Sequence, residues 1–224
     1  MRNRTPVFRK SIIIVVLTVF VLCVIGQMSI KSAEPETKSF TEDPAAMESA
    51  AASVVMLTVY NDKDVKIGTG SGFAALDPMV LVTASHVIEN MAYMIAECDD
   101  GSTFRIETVI DADENADVAI CRLPENVKLK TLEIAEKVPL RGEKTAAIGS
   151  QFNLKNLITL GNICGRWNSQ DVNWILFTAP VSGGCSGGPL LNDKGEVIGV
   201  VTGTYEKGQN LNLAAPIEKA AALY

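Results

Sequence analysis

Histidine is almost missing from this chain: among 224 residues only His86 carries an imidazole. That scarcity argues against a zinc site, whose ligand sets draw on several His or Cys side chains at set spacings. The five cysteines add no C-x-x-C pair that could stand in for them. Any chemistry that needs an imidazole base therefore has His86 or nothing. Basic residues are also short, at 20 against 26 acids, and Arg2, Arg4, Arg9 and Lys10 crowd the first ten positions. With those four set aside from the 20, 16 bases face 26 acids, a net of −10 for the body. An acidic body argues against nucleic-acid binding, which basic patches dominate. Internal repeats, low-complexity tracts and long amphipathic helical patterns are missing as well, which leaves short strands as the building material.

What is present begins with an almost wholly apolar run from Ile12 to Gly26 behind the basic end. A positive flank followed by about fifteen apolar residues is the pattern of an export signal. Met28 and Ile30 stretch the run towards the about 20 residues a membrane-spanning helix needs, and no small-x-small cleavage site follows. The expectation is a signal-anchor or signal peptide over residues 1–30, with the basic end cytoplasmic. A linker over 31–44 and an extracytoplasmic body over 45–224 follow it. Cys23 falls in the apolar run, and Cys98, Cys121, Cys164 and Cys185 leave three complete pairings open.

Asp43-Pro44 predicts an N-cap with proline in the first helical turn of a brief helix. From Ser53 onward, β-branched runs alternate with turn signals: Ser53–Tyr60, Ser71–Leu76, Met79–Thr83, Ala92–Glu97, Thr103–Ile110 and Val118–Leu123 come first. After the polar stretch 125–137 come Thr145–Ile148, Leu157–Cys164, Trp174–Phe177, Pro189–Leu191, Val197–Thr204 and Leu211–Ala214. Many short strands at this spacing predict an all-β barrel or sandwich. A short helix over Ile217–Leu223 closes the chain.

The chemistry gathers at Gly183-Gly184-Cys185-Ser186-Gly187-Gly188-Pro189-Leu190. Glycine supplies the positive-φ and close-approach conformations of a sharp turn. Such a loop can aim the N–H groups of Gly184 and Ser186 at one point, as an oxyanion hole requires. Ser186 then presents its Oγ as a nucleophile if a base activates it. His86 is the base the chain offers, at the end of the strand Leu81-Val82-Thr83-Ala84. Asp117, immediately before the Val118–Leu123 strand, is the candidate to orient its other ring nitrogen; Asp111 and Asp113 lie in the polar turn nearby. The order His86, Asp117, Ser186 differs from that of α/β-hydrolases and of subtilisins.

Gly-x-Ser-Gly-Gly-Pro, with Thr83-Ala84-Ser85-His86 upstream and Asp117-Val118-Ala119 between, resembles the trypsin-like (chymotrypsin-fold) serine protease superfamily. It is most similar to the HtrA/Deg-type protease domain. Gly68-Thr69-Gly70-Ser71-Gly72-Phe73, Asp99-Asp100-Gly101-Ser102-Thr103-Phe104 and Ala146-Ala147-Ile148-Gly149-Ser150 continue the match, as do Leu160-Gly161-Asn162-Ile163 and Asn212-Leu213-Ala214-Ala215-Pro216. The resemblance implies two six-stranded antiparallel β-barrels, about residues 53–125 and 140–215. It also implies catalysis by His86, Asp117 and Ser186 in the cleft between them, polypeptide substrates, and no metal or cofactor. Two departures stand out. Cys185 occupies the position before the nucleophile, where Asn or Asp is usual, and the PDZ domain that such enzymes usually append is not expected here. In this superfamily the residue six before the serine, here Pro180, lies at the base of the specificity pocket. Val201, Thr202, Leu213, Ala214 and Ala215 are the expected walls. No carboxylate or second histidine is there, so small or aliphatic residues are the expected preference. A catalytically inactive binding or chaperone module and a dedicated processing protease are the competing readings.

Overall fold

A computed structural model describes residues 38–137, 139–205 and 209–224. The basic end and the apolar run Ile12–Gly26 lie outside the described residues. Among the described residues no helix is long and apolar enough to cross a membrane. Seven strands form the first sheet: β1 (Val54–Tyr60), β2 (Lys66–Phe73), β3 (Val80–Thr83), β4 (Tyr93–Glu97), β5 (Thr103–Ile106), β6 (Thr108–Asp113) and β7 (Val118–Arg122). They run in the order β5-β4-β1-β2-β3-β7-β6, and every pairing is antiparallel. The outermost strands are consecutive in sequence, with only Glu107 between Ile106 and Thr108. The two edges must therefore meet at that residue, and the sheet rolls round on itself. Counted as one bent strand, β5 and β6 give the six strands expected of the first barrel. The sequence places a single strand at Thr103–Ile110 because nothing local marks the bend. Asp111 and Asp113, expected in a turn, belong to β6.

The second sheet is a closed barrel of β8 (Lys144–Gly149), β9 (Leu157–Ser169), β10 (Val172–Phe177), β11 (Pro189–Asn192), β12 (Val197–Thr204) and β13 (Asn212–Pro216), in the order β10-β13-β12-β11-β8-β9. Strand β9 runs five residues past its expected end, Cys164. The hairpin to β10 turns at Gln170 and Asp171, both at positive φ (52° and 60°). That geometry fits a two-residue primed turn, but without the Asn-Gly or Gly signature that would have announced it.

Strand periodicity explains the cores. Val55, Leu57 and Val59 of β1 alternate with Met56, Thr58 and Tyr60, and the first set is fully buried. They meet Leu81, Met94, Ile106 and Cys121 inside the first sheet. Ile175, Phe177, Leu190 and Val201 fill the second barrel. A third cluster joins the two through Val54, Phe73, Val82 and Ile120 on one side and Ile148, Leu191 and Val200 on the other. Each such large side chain stabilises the fold by about 1.5–3 kcal/mol, so the barrels are welded along a broad apolar seam.

The helix α1 (Pro44–Ala51) starts where Asp43-Pro44 places it, with the Asp43 carboxylate accepting from the N–H groups of Ala45 (3.0 Å) and Ala46 (3.3 Å). Before it, the end of the stretch read as a linker is docked: Phe40 is buried, and Ser39 and Thr41 both bond Asp193. The helix α2 (Ile217–Ala221) closes the fold.

Candidate functional site

Strands β3 and β7 pair with Thr83 opposite Ala119. The chain just beyond Thr83 and the chain just before Ala119 therefore emerge at the same end of the sheet. His86 lies on the one, in a 3-10 turn over Ser85–Ile88, and Asp117 on the other. Asp117 sits at φ 53°, a left-handed conformation that Asp tolerates better than most residues. Its carboxylate closes over the turn. Oδ2 lies 2.8 Å and Oδ1 2.9 Å from His86 Nδ1, and Oδ1 also accepts from the His86 backbone N–H (3.0 Å) and the Ser85 hydroxyl (3.0 Å). Asp111 and Asp113 are occupied elsewhere, accepting from neighbouring N–H groups, the first from Ala112 and the second from Asn115 and Ala116. The Asp117 hydrogen bond raises the His86 pKa above 6.5. Partial burial works against the shift, and the charges of Asp117 and Glu89 add to it. The ring is still 46 % exposed. Cavities of about 680 and 370 Å³ flank it, the first bordered by Glu89, Glu114 and Asp117, the second by Ile67 and Thr69.

Ser186 lies on the glycine loop that leads into β11. Gly184 is at φ 97°, and a Cβ there would fall 2.2 Å from the Ser150 carbonyl oxygen. Gly187 is at φ 86°, and its Cβ would fall 2.2 Å from both the Ser71 carbonyl and the Thr83 hydroxyl. Only glycine fits either position. The Gly183 carbonyl accepts from the Phe152 N–H at 3.1 Å. In a trans peptide the next N–H points the opposite way, so the Gly184 N–H faces away from Phe152. Neither that N–H nor the Ser186 N–H has an acceptor among the described residues. The arrangement can accept a negatively charged oxygen there. The Ser186 hydroxyl donates to the Thr202 carbonyl at 3.2 Å, and no hydrogen bond joins it to His86.

Cys185 points inward instead. It is 1 % exposed, unpaired with any other cysteine, and burial pushes its thiol up to about 12. A buried neutral thiol is a poor nucleophile, whereas Ser186 keeps part of its surface. Cys98, Cys121 and Cys164 are free as well.

The residues expected to shape the specificity pocket divide. Val201 and Ala214 are buried in the core of the second barrel and Ala215 in the seam between the barrels, at 1 %, 0 % and 0 % exposure. Pro180 is exposed, and Thr202 and Leu213 keep part of their surface. Two contributors escape a reading of the sequence: Ser85 donates to Asp117, and Phe152 holds the Gly183 peptide. Of these, only Ser85 had a signal, as the neighbour of the single histidine. Thr202, expected as a pocket wall, also acts through its carbonyl, which accepts from the Ser186 hydroxyl.

Comparison with known proteins agrees with this fold. A family model described as the trypsin-like peptidase domain matches residues 70–200. Serine protease HTRA1 of Xenopus tropicalis is 34% identical over 188 residues, covering 77% of this chain and 40% of its own length. Human serine protease HTRA4 is 30% identical over 190 residues, covering 78% of this chain and 40% of its own. The chain thus spans about 40% of the length of these curated relatives. Among solved structures, a serine endoprotease from Yersinia pestis superposes with a TM-score of 0.68 at 27% identity, covering 81% of this chain and 66% of that one. With the motif order, the two joined barrels and a family match over more than half its length all in agreement, the chain belongs to the trypsin-like peptidase domain family.

Proposed function

We propose that this protein is a serine endopeptidase that cuts exported or misfolded polypeptides through His86, Asp117 and Ser186. The observation that carries the reading is the carboxylate of Asp117 on Nδ1 of the only imidazole, at 2.8 Å. Holding the Nδ1 proton there leaves Nε2 as the basic nitrogen. In this mechanism the Ser186 side chain turns from the Thr202 carbonyl towards Nε2, which takes the hydroxyl proton as Oγ attacks the scissile carbonyl. The carbonyl oxygen becomes an oxyanion and accepts from the Gly184 and Ser186 N–H groups. The imidazolium, steadied by Asp117, then returns its proton to the leaving amine, and water repeats the cycle on the acyl-enzyme. Pro180, Thr202 and Leu213 offer no charge to a substrate side chain, which favours small or aliphatic residues. The basic start ahead of the apolar run Ile12–Gly26 supports an extracytoplasmic body held by, or released from, a signal segment.

A fluorophosphonate probe followed by casein digestion tests this, with both positive as the expected result. Labelling without casein digestion would favour a dedicated processing protease, and the failure of both would favour a binding module.

The pH dependence follows from the sign of the His86 shift. The base must be neutral in the free enzyme, and its pKa is raised above 6.5, first by the Asp117 hydrogen bond. kcat/KM on an uncharged peptide should therefore rise through one ionisation above pH 6.5 and then level off. The raised value also means that protonated His86 favours the folded state below 6.5, a contribution lost as pH rises through the folded-state value. Kinetics measured from acid to alkaline pH check this, and activity that peaks in acid removes His86 from the mechanism.

A further inference from the structure

The segment Gly68-Thr69-Gly70-Ser71-Gly72-Phe73 matches a family motif, yet none of it enters the chemistry above. Ser71, at 0 % exposure in β2, uses every polar atom it has on the catalytic side of the molecule. Its N–H donates to the Ser186 carbonyl (2.8 Å), and its hydroxyl donates to the Gly184 carbonyl (2.7 Å). The hydroxyl oxygen accepts from the Ser150 N–H (2.8 Å), while the Ser71 carbonyl accepts from the Thr83 hydroxyl (2.8 Å). One residue of the first sheet thus grips both residues whose N–H groups are proposed to form the oxyanion hole.

The consequence for the loop is geometric. A peptide plane is rigid, so fixing its carbonyl fixes its N–H. The Gly183 carbonyl is held by Phe152, the Gly184 carbonyl by Ser71, the Cys185 carbonyl by the Gly188 N–H (3.0 Å) and the Ser186 carbonyl by Ser71. The planes on both sides of Gly184 and of Ser186 are therefore set. Two of these four anchors are Ser71 itself. A third, Phe152, belongs to the 3-10 turn Gln151–Asn153, and Ser150, immediately before that turn, is tied to the Ser71 hydroxyl. Cys185, in the middle of the loop, supplies no side-chain hydrogen bond among the described residues. The side-chain tether that the loop cannot make from within comes from β2. Gly70 lets β2 approach so closely, since a Cβ there would lie 2.6 Å from Val87 Cγ1 and 3.2 Å from the Ser186 carbonyl.

We propose that Ser71 is a positioning residue whose hydroxyl holds the oxyanion loop in register from the neighbouring sheet, and so governs the chemical step rather than substrate binding. The inference rests on the serine-endopeptidase reading. Ser71→Ala in the full chain removes one donor and one acceptor without adding an atom. Loss of one oxyanion donor costs about 10²–10³ in kcat, and loosening two that remain present should cost roughly 10–100-fold. KM should change less than about twofold, and affinity for a peptide boronic acid, whose tetrahedral oxygen needs the hole, should fall with kcat. Thr145→Val is the control, because Thr145 is equally buried and its hydroxyl donates to the Leu191 carbonyl (2.5 Å) away from the loop. It should lower the melting temperature comparably and leave kcat intact. If Ser71→Ala does not fold, Ser71→Cys, with a weak S–H donor of similar shape, should show the same kcat and boronate losses in milder form. An unchanged kcat in the Ser71 variant, or an equal loss in Thr145→Val, overturns the proposal while an active wild type keeps the endopeptidase reading. A wild type that neither labels nor cleaves overturns both.

Discussion

Ser186→Ala is expected to leave a folded protein without measurable peptidase activity. Removing the serine of a catalytic triad costs about 10⁶ in kcat where this has been dissected, because no other group can form the acyl-enzyme. The fold should barely register the change. The Ser186 hydroxyl is only part-buried and makes a single 3.2 Å bond to the Thr202 carbonyl, while the N–H that faces the oxyanion is retained. The decisive comparison is with Cys185→Ser. A cysteine nucleophile needs a thiolate, and Cys185 is 1 % exposed with its thiol pushed up to about 12. Cys185→Ser should therefore keep turnover, at a cost in stability from burying a hydroxyl where the cysteine side chain has no hydrogen-bond partner among the described residues. Peptide hydrolysis and fluorophosphonate labelling of both variants settle the assignment. Activity that survives Ser186→Ala and disappears in Cys185→Ser would mean that the nucleophile is the thiol.

Asp117→Asn should cost roughly 10⁴ in kcat, the scale known for this replacement in a triad. The geometry gives the cause. Asn tolerates the left-handed backbone found at position 117, and its carbonyl oxygen can still accept from the His86 N–H and the Ser85 hydroxyl. What changes is the partner of Nδ1: an amide N–H₂ faced with that nitrogen must donate to it. The proton then moves to Nε2, and the ring can no longer take one from Ser186. The loss should fall on kcat, with the fold preserved and KM little affected. Asp111→Asn and Asp113→Asn should be nearly silent, since those carboxylates serve neighbouring N–H groups. Kinetics on the three variants check the assignment, and a mild Asp117→Asn beside a severe change at either neighbour would reassign the partner of His86.

Some features were legible because their causes are local. The strands announce themselves through β-branched runs, and β1 shows the alternation that buries Val55, Leu57 and Val59. The start of α1 is written in Asp43-Pro44, and the turn at Ser186 in glycines that no other residue can replace at Gly184 and Gly187. If an imidazole activates Ser186, the uniqueness of His86 selects it by elimination, whatever the fold. Other features depend on which distant segments meet, and no pattern within one segment carries that information. The bend at Glu107 that brings β5 and β6 together has no turn residue to mark it. Which of the expected pocket residues keep accessible surface was not legible either: Val201 and Ala214 are buried in the second barrel and Ala215 in the seam, while Pro180, Thr202 and Leu213 keep theirs. Ser71 is the sharpest case. As one small polar residue between glycines it is unremarkable, and its importance comes from partners 79 to 115 positions away along the chain. Local propensity shapes each strand, but hydrogen bonds to Gly184, Ser186 and Ser150 exist only once two barrels have packed against each other. The burial of apolar surface along their seam, to which the seam's own sequence commits only side-chain size and polarity, is what brings those atoms within reach.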